Sequence, residues 1–562
     1  MLGLKRILCA VLALLVLLSC TACGRPGAGK PAEETAPASD APAEEAGIPL
    51  TDDGEAILDG FSGLEGSPAA DPCRVFYEIF VGSFSDSDGD GCGDLRGIIN
   101  RMDYLNSGDP SDGIGLGVEG IWLTPIFLSP SYHKYDVSDY YTIDPAFGSM
   151  EDLEELIALC RERNVILILD LPLNHTGTAH PWFQAFLQAH QTGDAENEYY
   201  NYYSWHGPDE AGASGARYRQ LEGCGDWVEC NFDDGMPELN FDEPAVRQAV
   251  LDVARFYLDK GAGGFRFDAA KYIYLNDGVR NMDFWPWFVD ALKSIDPDVW
   301  TVGEVWSSDA ETDIYYPALN CFDFTVSQAE GLIASAVKNG NVFRYCSYVE
   351  EYTDRVASLR DGAMLVPFIA NHDTDRAAGF LSVSNGQMAM AANLLLLSPG
   401  SPFLYYGEEI GMKGSRGGSN TDANRRLAML WGDGDTVQDP SGTTYESENQ
   451  VNGTVLSQIG DPYSLLSYYK RLIRIRLANP EIAHGSYTTV SFPDTKLAGA
   501  ISVWEGSRVC VLHNATAKAV TIDLKGTDAS AFSSLSTCIG LSEASLDGTV
   551  LTVGPQTSVI LR

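Results

Sequence analysis

Eight apolar runs of strand length, most of them separated by stretches of helical period, set the strongest limit on how this chain folds. They are "VFYEIFVG" (75–82), "VEGIWLT" (118–124), "VILILDL" (165–171), "GFRFD" (264–268), "VWTVGEV" (299–305), "CFDFTV" (321–326), "AMLVPFIAN" (363–371) and "SPFLYYG" (401–407). Helical patterns such as "MEDLEELIALCRERN" (150–164) and "EPAVRQAVLDVARFYLDKG" (243–261) lie between them. Parallel strands need a long crossover, usually a helix. Eight such units predict an α/β fold, a (β/α)8 barrel. A doubly wound sheet is the competitor, but no Gly-rich phosphate turn follows the first strand.

One connection is too long for a simple crossover. Residues 172–242 show little helical period and are rich in aromatics, with "NEYYNYYSW" ending at Trp205 and Trp227 following. A segment of that size is expected to be an inserted domain with a function. Its two tryptophans either stack on a ligand or pack the insertion's core. After the amphipathic stretch "SLLSYYKRLIRIRLANP" (464–480) come short alternating segments and Gly/Ser/Thr turns. The expected organisation is therefore barrel over 71–171 and 243–480, insertion over 172–242, and a C-terminal antiparallel β-sandwich over 481–562.

The beginning of the chain reads differently. Lys5 and Arg6 precede an apolar run at 7–18, then Cys20 and Cys23. That is an export signal, and the run is short for a span. "LLSC" and "CTACG" resemble a bacterial lipoprotein signal over 1–23, in which Cys20 or Cys23 becomes the lipid-bearing first residue. This predicts anchoring, through lipid alone, to the outer face of a bacterial membrane. The Pro-, Ala- and Glu-rich residues 24–70 read as a tether. Nine cysteines follow Cys23 without regular spacing, so no disulfide framework is expected, although Cys224 and Cys230 could close a small loop. A formal charge of −41 leaves little to neutralise a phosphate backbone, so nucleic acid is not expected as a partner, and a monomer is expected.

Active residues of such barrels sit at the C-terminal ends of the strands. The third run ends in "DLPLNH", giving Asp170, Asn174 and His175. The fourth ends in Arg266 and Asp268, which share a strand face. Glu304 ends the fifth, and His372 and Asp373 end the seventh. Asp268, Glu304 and Asp373, three acids on different strands, thus converge, and Arg266 is placed to hold Asp268 ionised.

These segments, "DLPLNH", "MPELN" (236–240), "GFRFDAAK", "GEVW" (303–306) and "FIANHD" (368–373), resemble in order the α-amylase family of glycoside hydrolases. The resemblance implies a barrel with a domain B after strand three. It implies Asp268 as nucleophile, Glu304 as general acid/base and Asp373 as the acid that grips the sugar hydroxyls. His175 and His372 would bond the same sugar, and Tyr135 in "HKYDVSDYY" would lie under it with Asp136 beside it. Lys271 would contact a sugar on the leaving-group side. The expected activity is retaining, endo-acting hydrolysis of α-1,4 bonds in starch and maltodextrins. Neopullulanase, α-glucosidase, oligo-1,6-glucosidase and transglycosylase activities are the alternatives, and a non-catalytic sugar-binding relative is a third class that the three retained acids argue against. Pro172 in "DLPLNH", Tyr272 after the lysine and the form "MPELN" depart from common relatives and blur linkage preference.

A second constellation is "DSDGDGCGD" (86–94). Asp86, Asp88, Asp90 and Asp94, with the carbonyl of Cys92, offer the oxygen ligands that Ca2+ takes, and the glycines permit a tight wrap. Gly97 stands where an EF-hand needs its glutamate. The loop instead resembles "DSNGDGIGD" after the first barrel strand in the oligo-1,6-glucosidase and neopullulanase branches.

Overall fold

The computed structural model describes residues 71–109, 112–418 and 421–562. The leader and tether expected over 1–70 lie outside the described residues. All eight apolar runs form strands: β1 Phe76–Ile79, β2 Gly120–Leu123, β3 Ile166–Leu171, β4 Gly264–Phe267, β5 Trp300–Gly303, β6 Asn320–Asp323, β7 Val366–Pro367 and β8 Phe403–Tyr405. They pair in parallel in the order 7-6-5-4-3-2-1-8, and a parallel bridge from Phe368 to Phe403 joins the two ends. The sheet is therefore a closed (β/α)8 barrel.

The runs read as continuously apolar because both faces are buried. Phe76, Trp122, Ile168, Trp300, Val302 and Phe322 fill the interior. Tyr77, Ile79, Leu167, Leu169, Phe265 and Phe267 face the surrounding helices. Toward the C-terminal ends the inward positions change character. Phe76 gives way to Glu78, Ile168 to Asp170, Gly264 to Arg266, and Val302 to Glu304. Gly264 is required by close approach, since a Cβ there would lie 1.8 Å from the Trp300 carbonyl oxygen.

Helix ends follow local chemistry. Helix α1 (Met150–Glu162) opens with a capping box between Ser149 and Asp152. The insertion contains a helix that the sequence pattern did not suggest, α2 (Pro181–Thr192), with Pro181 in its first turn and Gly193 closing it at φ +67°. Its buried stripe is Phe183, Phe186, Ala189 and His190, so an alanine and a histidine dilute the apolar period. The insertion also holds a three-stranded antiparallel sheet of Trp205–His206, Tyr218–Gln220 and Trp227–Glu229. Trp205 packs edge-on against His190, and Trp227 stacks on His206. Both Cys224 and Cys230 are free thiols. Helix α3 (Pro244–Lys260) then returns the chain to β4.

The C-terminal part begins after helix α4 (Leu465–Leu477) and the short α5 (Pro480–His484). It has a five-stranded and a three-stranded antiparallel sheet. Phe492, Leu512, Leu551 and Val559 lie between them. The other face of the larger sheet carries Tyr487, Ala498, Ala500, Val509 and Val511 into the barrel's helical layer. This period-two split along Val509, Cys510, Val511 and Leu512 buries both faces. Among the described residues no helix is long and apolar enough to cross a membrane.

Candidate active site

The charged inward positions form one network at the C-terminal end of the barrel. Arg266 is fully buried and is its hub. Its Nη1 donates to Asp170 Oδ1 and Asp268 Oδ1, each at 2.7 Å, and its Nη2 lies 2.9 Å from Glu304 Oε2. The guanidinium also sits 5.1 Å from the Trp122 ring centroid. A planar fork can serve several carboxylates at once, which an ammonium cannot. The backbone helps to aim Glu304. Ala269 adopts φ +43°, a left-handed conformation unfavourable for a residue with a Cβ, and its N–H donates to Glu304 Oε2 at 3.1 Å.

A second cluster holds the remaining acid. Arg426 Nη2 pairs with Asp373 Oδ1 at 2.7 Å, and His372 Nε2 lies 3.1 Å from Asp373 Oδ2. The other ring nitrogen, His372 Nδ1, donates to Glu78 Oε1 at 2.5 Å. Tyr135 links the clusters, with its hydroxyl donating to Asp170 Oδ2 at 2.9 Å and lying 2.8 Å from His372 Nε2.

Charge counting explains the protonation pattern. The five acids Glu78, Asp170, Asp268, Glu304 and Asp373 pair with three cations, Arg266, His372 and Arg426. Burial raises Glu304 above the usual carboxyl range, Asp268 and Asp373 add to the rise, and Arg266 opposes it. Burial likewise lifts Asp170 to about 7 against the pull of Arg266. At Asp373 burial is outweighed, and His372 and Arg426 hold the carboxyl well below its usual range. His372 is driven up to about 10 despite burial, by Asp373 and Glu78. One site therefore pushes two carboxyl groups in opposite directions, Glu304 toward its protonated form and Asp373 toward its ionised form, the kind of division on which acid catalysis at a glycosidic bond relies.

Above the network lies a cleft of about 730 Å³. Asp268, Glu304, Asp373, Tyr135, His175 and Lys271 all line it. Arg266 and His372 lie beneath, wholly buried. His175 Nε2 is 3.2 Å from the Tyr135 carbonyl oxygen, while Nδ1 faces the Asn174 amide. Lys271 Nζ donates to the Trp306 carbonyl at 2.9 Å. Asp136 does not line the cleft. Its Oδ1 accepts from the Ser129 and Ser131 hydroxyls, because the turn that presents the Tyr135 ring aims its neighbour the other way. Trp205 and Trp227 also lie outside the cleft lining.

Several residues here were not singled out from the sequence. Arg426 comes from "NRR" after β8, and its signal was a paired cation in a strongly acidic chain. Glu78 is an acid inside the first apolar run. Tyr132, Phe232, Tyr272 and Trp306 supply aromatic surface to the cleft. Trp306 is 43% exposed and stacks on Phe324 with ring centroids 4.8 Å apart.

The acidic loop lies after β1. Asp86, Asp88 and Asp94 bring carboxylate oxygens within 4.8 Å of one another. Asp86 is held below its usual value, against slight burial, by bonds from Thr436 and the amides of Gly89, Gly91 and Asp88. Asp94 Oδ1 accepts from Gly97 N and so caps the helix Leu95–Asn100. Asp90 falls outside the cluster, and its Oδ1 accepts from Cys92 N at 2.7 Å. Burial pushes the Cys92 thiol up to about 11, so its carbonyl is the better donor. This oxygen set fits a hard cation such as calcium.

Comparison with known proteins gives a consistent picture. The family model described as "Alpha amylase, catalytic domain" matches residues 78–485. "Alpha-amylase 3" of Dictyoglomus thermophilum is 36% identical over 443 residues, covering 78% of this chain and 84% of the relative. "4-alpha-glucanotransferase" of Thermotoga maritima is 31% identical over 426 residues, covering 72% and 87%. The solved structure of Eubacterium rectale Amy13B superposes with a TM-score of 0.80 at 32% identity, covering 87% of this chain and 95% of that one.

Proposed function

The chain belongs to the α-amylase family of glycoside hydrolases, and from that premise we propose that it is a retaining enzyme cleaving internal α-1,4 bonds of starch and maltodextrins. The observation that carries this reading is the Arg266 fork, which holds Asp268 and Glu304 together under a cleft open to solvent. Retaining enzymes need two carboxyl groups at short separation, one ionised and one protonated.

In this reading the sugar ring rests over Tyr135. Glu304 gives its proton to the glycosidic oxygen as the C1–O bond breaks, and an Asp268 oxygen bonds to C1. Water then enters, losing a proton to the Glu304 carboxylate and its oxygen to C1, while Asp268 departs. Two inversions at C1 give net retention. Asp373, kept ionised by His372 and Arg426, accepts hydrogen bonds from the sugar hydroxyls and favours the cationic transition state. Arg266 and His372 act as positioning groups from below, His175 lines the cleft at the same sugar as Asp373, and Lys271 borders the sugar on the leaving-group side.

Calcium, if bound by Asp86, Asp88 and Asp94 with the Cys92 carbonyl, would supply charge neutralisation and loop rigidity away from the reacting carbon. The export signal at 1–23 supports a lipid-anchored enzyme outside the cell, acting on α-glucan.

A second reading is transfer of the glycosyl group to another sugar. The exposed Trp306–Phe324 stack beside Lys271 favours it, since a flat apolar surface there would hold an acceptor against water. Product profiles from a long maltodextrin and from pullulan separate the two. Early short maltodextrins from the first substrate support endo-hydrolysis, products longer than the substrate support transfer, and attack on pullulan alone would overturn the α-1,4 assignment.

A further inference from the structure

At the end of the barrel opposite the cleft, three side chains of different donor type meet. Asp71 and Cys73 precede β1, and His484 ends α5 after the last barrel helix. One ligand atom from each, a carboxylate oxygen, a sulfur and an imidazole nitrogen, lies within 4.8 Å of the others. All three are half-buried and line a cavity of about 260 Å³. We propose that Asp71, Cys73 and His484 form a binding site for a zinc-class transition-metal ion, with the cavity supplying a fourth, solvent ligand.

The edge between His484 and Asp71 has the length that tetrahedral coordination needs. Bonds of about 2.0–2.1 Å imply a ligand-to-ligand edge of roughly 3.3 Å. His484 Nε2 and Asp71 Oδ1 are 3.4 Å apart. The mixture of sulfur, nitrogen and oxygen suits zinc rather than calcium, which takes oxygen alone. A divalent ion held by one thiolate and one carboxylate forms a neutral unit. That matters here because Arg74 and Arg476 also line the cavity. Arg476 donates to the carbonyls of Leu396, Ser398 and Gly400, and Arg74 donates to the carbonyls of Asp71 and Asn164.

The ligands stand on fixed backbone. Between Asp71 and Cys73, the Pro72 carbonyl accepts from Trp300 Nε1 at 3.1 Å and Ser401 Oγ at 2.7 Å. Asp71 Oδ1 accepts from Cys73 N at 3.0 Å, and the His484 ring packs against Trp504. An ion here would tie the segment entering the barrel to the segment leaving it, closing a long loop in the unfolded chain and so stabilising the fold.

Cobalt alone, added to the chelator-stripped full chain, is the direct probe, because a thiolate ligand gives a sulfur-to-cobalt charge-transfer band. The band should saturate, persist in excess calcium, yield to zinc, and disappear in Cys73→Ser and His484→Gln. Zinc should raise the melting temperature of the wild type but not of Cys73→Ser. Saturating cobalt that gives no thiolate band in the wild type overturns the proposal without any variant. A band that survives either substitution, or that calcium displaces, overturns it equally.

Discussion

Replacing Arg266 with lysine keeps one positive charge at the hub and removes the fork. The present side chain reaches Asp170 and Asp268 at 2.7 Å and Glu304 at 2.9 Å from two different nitrogens. An ammonium on a shorter stem cannot reproduce all three contacts, and each lost charge-assisted bond is worth about 1.5–3 kcal/mol. Proton uptake by Glu304 or Asp170 limits the stability loss, since burial already raises both. Catalysis has no such relief. A displacement of about 1 Å between reacting groups costs on the order of 10²-fold in rate, or about 2.7 kcal/mol. Arg266→Lys should therefore lower kcat/KM on maltodextrin at least about 10²-fold.

The pH profile gives a separate reading of the same variant. Arg266 opposes the rise of Glu304, so weakening it should raise that carboxyl further and move the basic limb of kcat/KM to higher pH. The stability sign agrees. A carboxyl raised on folding binds more protons in the native state, so stability falls as pH rises from near 4.5 through the folded value. In the variant that fall should extend to higher pH. Activity within threefold of wild type with an unmoved basic limb would refute the idea that one guanidinium sets both carboxyl groups.

Other outcomes follow from the same geometry. Asp268→Asn should lower turnover by several orders of magnitude at unchanged melting temperature, and a tenth of wild-type activity would show the nucleophile to be misassigned. Chelation should lower the melting temperature by removing a cation from Asp86, Asp88 and Asp94, and Asp88→Ala should show less of that response. Elemental analysis showing no calcium, with indifference to both calcium and chelator, would end the calcium reading. Changing Cys20 and Cys23 together to serine should release the protein from the membrane fraction, and unchanged association would remove the lipid anchor.

The barrel was legible because burial on both strand faces leaves continuous apolar runs, and the acids because they interrupt those runs at one end. Arg266 and Asp268 could be paired from their spacing alone, since strand periodicity puts them on one face. Glu78 could not be joined to His372, because only closure of the barrel brings the first strand near the seventh. Arg426 was hidden for a similar reason, lying in an irregular loop that has no periodicity to orient it. Asp136 misled because adjacency to Tyr135 in sequence says nothing about direction in a tight turn. Helix α2 escaped notice because its buried stripe includes Ala189 and His190. The cluster of Asp71, Cys73 and His484 unites residues from opposite ends of the catalytic domain, which no local pattern can reveal.

In the proposed mechanism Asp268 and Glu304 act as nucleophile and acid on one sugar. Proton NMR of the first products released from an α-1,4-glucan tests this most directly, before mutarotation mixes the anomers. Two inversions at C1 predict that the new reducing ends appear first as the α-anomer. Initial appearance of the β-anomer would mean a single displacement by water, and would contradict the mechanism whatever the mutants show.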